Sequence, residues 1–503
     1  MKKITVDVAI IGAGSAGLAA YRAAIKQGAR AILIESGEYG TTCARHACMP
    51  SKLLIAAANA AADTLLLDGF GVELTGPIRV NGVRVLERVR RERDRFVGFV
   101  VDDVNGFPSE DKLRGFARFL SDTTLSVRSK PALHGSANAR DGAEGEAEVE
   151  IEARATVIAT GAAAVIPEAY RDLGSALATS DDVFEWRDLP KRIAVIGTGV
   201  IALELGQALS RLGVDIMMFG QGGNLASLTD PVVAEYALHY FSEAFPIHHD
   251  AQVSASLTPD GRAQLRFKDA QGDEQVEFFE RVLVATGRAP NLQQLTLENT
   301  SVKPDAHGVP IFDKDTMQCV GAPIFITGDA DHFRPWLNDA SNEGRIAGEG
   351  AANWPEVKPQ SQPTVLSIVF TDPGMLMVGS SWKSLDEDRI VCGRVSFENQ
   401  GRARVTQKNH GVLRIYADLL TGHVLGAEGI APAGEHLAHL IAWSVQQSLT
   451  IDQMLTMPFY HPVFEEGLRT ALIDAMKARK AALPQGADGS PIVSNALANS
   501  VGN

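Results

Sequence analysis

Cysteine is scarce in this chain: four residues in 503. That number excludes the disulfide framework on which small secreted domains depend. The charge balance excludes a second class. With 61 acidic against 47 basic side chains the formal charge is −14, so no nucleic-acid partner is expected. Long uncharged apolar runs are missing too. No stretch reaches the roughly 18 residues of a spanning helix, and no membrane partner is expected either. Met1-Lys2-Lys3 before apolar residues imitates a signal peptide, but Asp7 interrupts the run and glycines occupy the place of a cleavage site. The segment reads as the first strand of a cytoplasmic protein. What remains, 45% hydrophobic and 21% charged, is ordinary for a globular chain long enough to form several domains.

Scarcity makes the placing of two cysteines informative. Cys43 and Cys48 stand five positions apart in Thr41-Thr42-Cys43-Ala44-Arg45-His46-Ala47-Cys48-Met49-Pro50-Ser51-Lys52. No second Cys/His pair accompanies them, so the spacing is not that of zinc and no metal site is expected. In one straight helix, residues i and i+5 lie roughly 8–9 Å apart at Cα, beyond the roughly 7 Å reach of a disulfide. Pro50 disfavours helical backbone at Met49, which predicts a distorted helix start able to bring the sulfurs together. Spacing alone is equally compatible with two buried, inert thiols. The neighbouring motifs decide.

Upstream, Val6-Asp7-Val8-Ala9-Ile10-Ile11 is an apolar strand running into Gly12-Ala13-Gly14-Ser15-Ala16-Gly17. An Ala-rich helix follows, then the strand Ala31-Ile32-Leu33-Ile34 ending in Glu35. G-x-G-x-x-G in this setting lets the backbone approach a pyrophosphate at a helix N-terminus, while Glu35 can accept from a ribose hydroxyl. A second copy starts at Arg192-Ile193-Ala194-Val195-Ile196 and continues through Gly197-Thr198-Gly199-Val200-Ile201-Ala202 to the strand Asp215-Ile216-Met217-Met218-Phe219. Ala202 suffices in the third small position, which only has to permit close helix–strand packing. Two dinucleotide folds and a cysteine pair point to electron transfer between two dinucleotides and a sulfur couple.

With these motifs the sequence resembles the class I flavoprotein pyridine nucleotide-disulfide oxidoreductases, and among them the dihydrolipoyl dehydrogenases. Further matches are Ala159-Thr160-Gly161, Ala285-Thr286-Gly287-Arg288-Ala289-Pro290-Asn291, Ile326-Thr327-Gly328-Asp329, Phe370-Thr371-Asp372-Pro373 and Tyr460-His461-Pro462-Val463-Phe464-Glu465-Glu466. The resemblance implies an α/β fold: two Rossmann-like dinucleotide-binding domains plus a C-terminal α+β dimerisation domain. It places an FAD-binding domain with the redox pair at 1–168, an NAD(P)-binding domain at 169–290, a return to the first domain at 291–360, and the dimerisation domain at 361–482. The polar, aperiodic tail 483–503 is expected to be disordered. Within this frame a helical arm is expected over 80–104, an acidic exposed hairpin loop over 135–148 and an alternating strand over 148–154. Later strands are expected near 391–397, 411–417 and 424–429, with a helix over 435–448.

The same resemblance assigns roles. Cys48 is the thiol beside the flavin, and Cys43 the one that meets the substrate sulfur. Thiol exchange needs a thiolate, which a Cys at neutral pH mostly is not, so a base is required. His461 is that base, in a loop before a Pro-initiated helix, with Glu466 fixing its tautomer. The family takes this dyad from the partner subunit, which implies a homodimer, and His461-Pro462 is a candidate cis bond. Lys52 and Glu204 match an ion pair near the flavin. FAD contacts are implied for Gly12, Gly14, Gly17, Glu35, Gly115, Thr160, Gly161 and Asp329, and nicotinamide-dinucleotide contacts for Gly197, Gly199, Ala202, Gly220, Gly287 and Arg288.

Three positions depart from the family pattern. Ala44-Arg45-His46-Ala47 replaces an apolar-Asn-Val-Gly run, and Phe459 stands where lipoamide enzymes often have a His. Gly220 occupies the place of the ribose-binding acid, with no Arg in the run Gly220-Gln221-Gly222-Gly223-Asn224 to hold a 2′-phosphate. NAD is thus the expected cofactor beside FAD, with NADP not excluded, and a Glu installed at 220 is expected to sharpen the preference. The expected reaction is oxidation of dihydrolipoamide, free or on a lipoyl domain, with NAD⁺. Another NAD(P)H-linked disulfide reductase is the alternative, and a flavin-bound scaffold without turnover a third. Mercuric reductase is disfavoured because Val501-Gly502-Asn503 carries no cysteine pair, and soluble transhydrogenase because it lacks the redox cysteines.

Overall fold

A computed structural model of the chain describes residues 2–129, 148–223, 225–334 and 337–483. The expected hairpin loop up to residue 147 and the tail beyond 483 lie outside them. Two compact units are formed, each from three stretches of chain: 1–50, 88–165 and 287–362 in the first, 51–87, 166–286 and 363–503 in the second.

In the first unit the strand Lys2–Ile11 runs parallel between Ala31–Glu35 and Glu148–Ile158, with Val8 opposite Ala31 on one side and Ala155 on the other. Val8, Ala9 and Ile10 are fully buried, and this two-sided cover is why the run is continuously apolar. Glu148–Ile158 serves two surroundings. Its first half alternates between buried and more exposed positions beside the antiparallel strand Thr124–Ser129, and its last four residues are all buried between parallel neighbours. Lys112–Ser121 leaves the parallel sheet in the same way: it starts beside Ala31–Glu35 and ends paired to Thr124–Ser129. The Ala-rich helix Ser15–Lys26 packs on Leu337–Asn353, where a Cβ at Gly344 or Gly348 would come within 2.2 Å of the Ala16 or Ala20 carbonyl oxygen. The expected arm is the helix Gly82–Asn105.

Leu337–Asn353 also carries Glu343, fully buried, which accepts the Gly328 N–H at 3.0 Å and so anchors the turn bearing Asp329. Glu343 and the buried Asp331 bond to each other, which requires a proton between two carboxyls. One oxygen of each, Asp331 Oδ2 and Glu343 Oε1, has no other donor. Burial, with the like charge alongside, raises both above the usual carboxylate range. A raised carboxyl holds its proton in the folded chain after the unfolded chain has released it. This contribution to stability is complete below about pH 4 and is lost as pH rises through neutrality into the raised range. Glu343→Gln keeps an acceptor for Gly328 while removing one titration. Its melting temperature should therefore fall less steeply than wild type between pH 5 and 9; parallel profiles would contradict a shared proton.

The second unit holds a five-stranded parallel sheet in the order Ile247–His248, Asp215–Phe219, Arg192–Ile196, Arg281–Val284, Leu177–Thr179. A meander of Ser254–Leu257, Ala263–Lys268 and Glu274–Phe279 follows, turning at Gly261 and Gly272, both at positive φ. Phe219, Phe267 and Phe279 join meander to sheet edge-on, with Phe219 and Phe267 centroids 4.8 Å apart, a pairing worth about 0.5–1.5 kcal/mol beyond area burial. An antiparallel sheet completes the unit in the order Leu366–Val369, Gly374–Gly379, Val424–Ala431, Val412–Asp418, Ile390–Ser396. Helices Gly434–Gln446 and Glu466–Ala482 pack on it around Leu437, Ile441, Leu468 and Leu472. The two sheets are tied by Asp230. Fully buried, it caps the helix Pro231–Ala244 and takes Arg414 Nη1 at 2.7 Å and the Tyr416 hydroxyl at 2.8 Å.

Candidate functional site

The first glycine motif builds a cradle. Gly12 sits at φ +110°, and a Cβ there would lie 2.2 Å from the Ala159 carbonyl oxygen; one at Gly17 would lie 1.8 Å from the Gly12 oxygen. Gly14 caps the helix Ser15–Lys26 and has open space where its side chain would be. Glu35 accepts from Ala13 N at 2.7 Å and Gly37 N at 2.6 Å, so its carboxylate is fixed at the strand end. A cavity of about 720 Å³ opens here, within the range of cofactor sites, and its walls include Gly12, Gly14, Glu35, Gly115, Thr160 and Gly161. Thr160 Oγ1 and His46 Nδ1 line it as well, and both are buried without a hydrogen-bond partner. Glycine clearance, a helix N-terminus, a fixed acid and two unsatisfied polar atoms fit the ADP and ribityl parts of FAD. Asp329 lies in the same unit, on the turn Gly328–Ala330; burial pushes its carboxyl up.

The redox segment breaks where Pro50 predicts a distortion. Thr42–Arg45 is one short helix, capped by Thr41 through its Oγ1 on Ala44 N at 3.1 Å, and Cys48–Asp63 is a second. Cys43 thus belongs to the first and Cys48 opens the second. Both are half-buried and in the dithiol form. At the positive end of a 16-residue helix, Cys48 is placed where a thiolate is favoured.

Farther along the second helix, Lys52 meets Glu204 of the helix Val200–Arg211, with Nζ 2.8 and 3.0 Å from the two carboxylate oxygens. Glu204 is 5% exposed. The segment Phe370-Thr371-Asp372-Pro373 serves this pair. Phe370 N donates to Glu204 at 3.0 Å while its ring lies 4.5 Å under the Lys52 ammonium. Asp372 bonds Gln207 and Arg211 on the same helix. Spacing carried no signal for this, because Phe370 lies 166 residues from Glu204.

The second glycine motif repeats the first. Gly197, at φ +119°, would bring a Cβ within 2.3 Å of the Ala285 oxygen; Gly199 caps the helix and Ala202 is fully buried. Gly287 and Arg288 fall in the first unit, where the strand Arg288–Pro290 pairs with Ala162–Ala164. Gly220 corrects an expectation. A Cβ there would lie 2.7 Å from Thr198 Cγ2 and 2.9 Å from the His249 carbonyl oxygen, and its loop is stitched to His248 and Ala251 by backbone bonds of 2.8 Å. An acid therefore cannot be added for ribose recognition. Gly220→Glu should raise KM for NADH and NADPH together rather than sharpen selectivity; a rise for NADPH alone would contradict this packing.

His461 Nδ1 lies 3.0 and 3.1 Å from the two oxygens of Glu466, and the imidazole holds that carboxyl below its usual range. The side chain of His461 is 78% exposed, and the His461–Pro462 bond is cis. The helix that follows starts at Glu466 rather than at Pro462, so the orienting acid itself opens it, also accepting from Val463 N at 3.3 Å.

A fold with two dinucleotide motifs, a cysteine pair and a dimerisation-type sheet defines a two-nucleotide redox enzyme. The chain belongs to the pyridine nucleotide-disulphide oxidoreductase family, whose main domain matches residues 6–344 and whose dimerisation domain matches 365–472. The family uses FAD and NAD(P). It is 29% identical over 471 residues to a mercuric reductase of Acidithiobacillus ferrooxidans, covering 92% of this chain and 81% of that protein. Against a dihydrolipoyl dehydrogenase of Haloferax volcanii it is 27% identical over 481 residues, covering 93% and 96%. The fold is that of the HOCl-induced flavoprotein disulfide reductase RclA from Escherichia coli, with TM-score 0.75, 21% identity and coverage of 93% and 99%. Among the described residues, no helix is long and apolar enough to cross a membrane.

Proposed function

We propose that this FAD-dependent oxidoreductase transfers electrons between a dihydrolipoamide-type dithiol and NAD⁺, as a homodimer whose active site is shared. The His461–Glu466 dyad carries this reading. An imidazole fixed at Nδ1 leaves Nε2 to take a proton from a substrate thiol, and the exposed ring lies within the segment matched by the dimerisation domain, where a partner subunit's cysteine pair can reach it.

Chemically, the substrate thiolate attacks Cys43 Sγ and breaks the Cys43–Cys48 disulfide, with Cys48 leaving as the thiolate. The second substrate thiol then displaces Cys43, closing the substrate disulfide. Two electrons now rest on the cysteine pair, and bound FAD supplies their route to NAD⁺. Lys52, held by Glu204, places a cation beside that route, and the sequence 220–224 offers no base for a 2′-phosphate.

The mercuric reductases among the relatives favour a second reading, reduction of Hg(II) by NAD(P)H. Against it stands the thiol inventory. Cys43/Cys48 is the one closely spaced pair in the sequence, and Cys319 is buried with its thiol pushed up to about 12. Steady-state kcat/KM for dihydrolipoamide with NAD⁺, and for NAD(P)H oxidation by lipoamide, glutathione disulfide and thiol-buffered Hg(II), tests the choice. Lipoamide should lead by at least tenfold. Turnover with Hg(II) and none with lipoamide would overturn the proposal.

A further inference from the structure

Arg45 and His46 stand between the redox cysteines, and both line the 720 Å³ cavity of the first unit. Their side chains are committed differently. Arg45 is spent on the protein: Nε and Nη2 donate to the Tyr39 carbonyl at 3.1 and 2.5 Å, and Nη2 lies 3.4 Å from Glu38. His46 is not. Its Nδ1 is shielded from solvent with no hydrogen-bond partner, although it ends a short helix where solvent or a backbone group would ordinarily satisfy it. A buried polar atom left unmade is costly, so the fold tolerates it where something else supplies the partner.

The walls of the cavity indicate what that is. Glu35, at the end of the second strand, belongs to the ribose of the adenosine half by the logic of the dinucleotide fold. The segment 41–46 leads directly into Cys48, whose thiolate must reach the flavin ring for electrons to pass. Its lining residues therefore belong to the flavin half of the cofactor. We propose that His46 is an FAD-binding residue peculiar to this chain, its Nδ1–H donating to an oxygen of the ribityl–diphosphate chain. The second unsatisfied atom of the same cavity, Thr160 Oγ1, independently marks it as built for a polar occupant.

The test uses holoenzyme carrying His46→Val or His46→Asn, with FAD release on serial dilution followed by flavin fluorescence. His46→Val should raise the FAD dissociation constant about three- to tenfold, the weight of one hydrogen bond, and shift the flavin absorption bands. Asn places an amide N–H near the position of the imidazole Nδ1, so His46→Asn should stay within about twofold of wild type and keep its spectrum. FAD held equally well by His46→Val and wild type would overturn the proposal, as would His46→Asn losing FAD as readily as His46→Val. No dithiol enters the measurement, so its outcome is independent of which substrate the enzyme takes.

Discussion

His461→Ala is expected to slow dithiol oxidation by about 10²–10⁴-fold, the usual effect of losing a positioned general base. The expectation rests on the fixed geometry of the imidazole. Glu466 engages Nδ1 through both oxygens, which leaves Nε2 as the site that takes the substrate proton and stabilises the imidazolium that forms. Reduction of the bound flavin by NADH does not use this proton and should change far less; stopped-flow comparison of the two half-reactions separates the cases. Equal losses in both would indicate damage to the fold around Glu466–Ala482 instead. Because the dyad is proposed to serve the partner subunit, co-expressing His461→Ala with Cys43→Ser should restore activity that neither homodimer has. Each mixed dimer then contains one site with both groups intact and one with neither. Mixed dimers as inactive as their parents would place dyad and cysteine pair in the same subunit.

What the sequence discloses about this molecule follows from how local each feature is. The two glycine motifs, the break before Pro50 and the His461–Glu466 pair depend on residues within a few turns of one another, and each appears where its spacing places it. The strands near 391, 412 and 424 were legible from alternation alone. Other features depend on chain that is distant in sequence. Gly344 and Gly348 read as helix weakeners until Ala16 and Ala20 are seen against them. Phe370 reads as one apolar residue in a conserved-looking tetrad, yet its amide and ring hold the two members of the Lys52–Glu204 pair. Gly220 reads as a missing acid, a vacancy to refill, whereas Thr198 and the His249 carbonyl already occupy that space. The Asp331–Glu343 pair has no spacing signature, since neither acid differs locally from any solvated carboxylate.

The cysteine pair supplies the other large effect. Replacing either Cys43 or Cys48 by Ser should abolish dithiol turnover, because the disulfide that accepts the electron pair cannot form. The two variants should nonetheless differ in colour. Cys48 opens the helix Cys48–Asp63, where the first-turn N–H groups favour a thiolate, and Cys43 sits on a separate four-residue helix with no comparable dipole. Cys43→Ser therefore leaves a Cys48 thiolate facing oxidised flavin, and should show long-wavelength charge-transfer absorbance as purified, before any reductant is added. Cys48→Ser removes the donor and should show none, even after two-electron reduction. Lowering the pH should bleach the band of Cys43→Ser as Cys48 takes up a proton, which reads the helix-end effect directly. Identical spectra from the two variants, or a band in Cys48→Ser alone, would reverse or dissolve the assignment of the thiols, and with it the order of bond-breaking proposed for substrate oxidation.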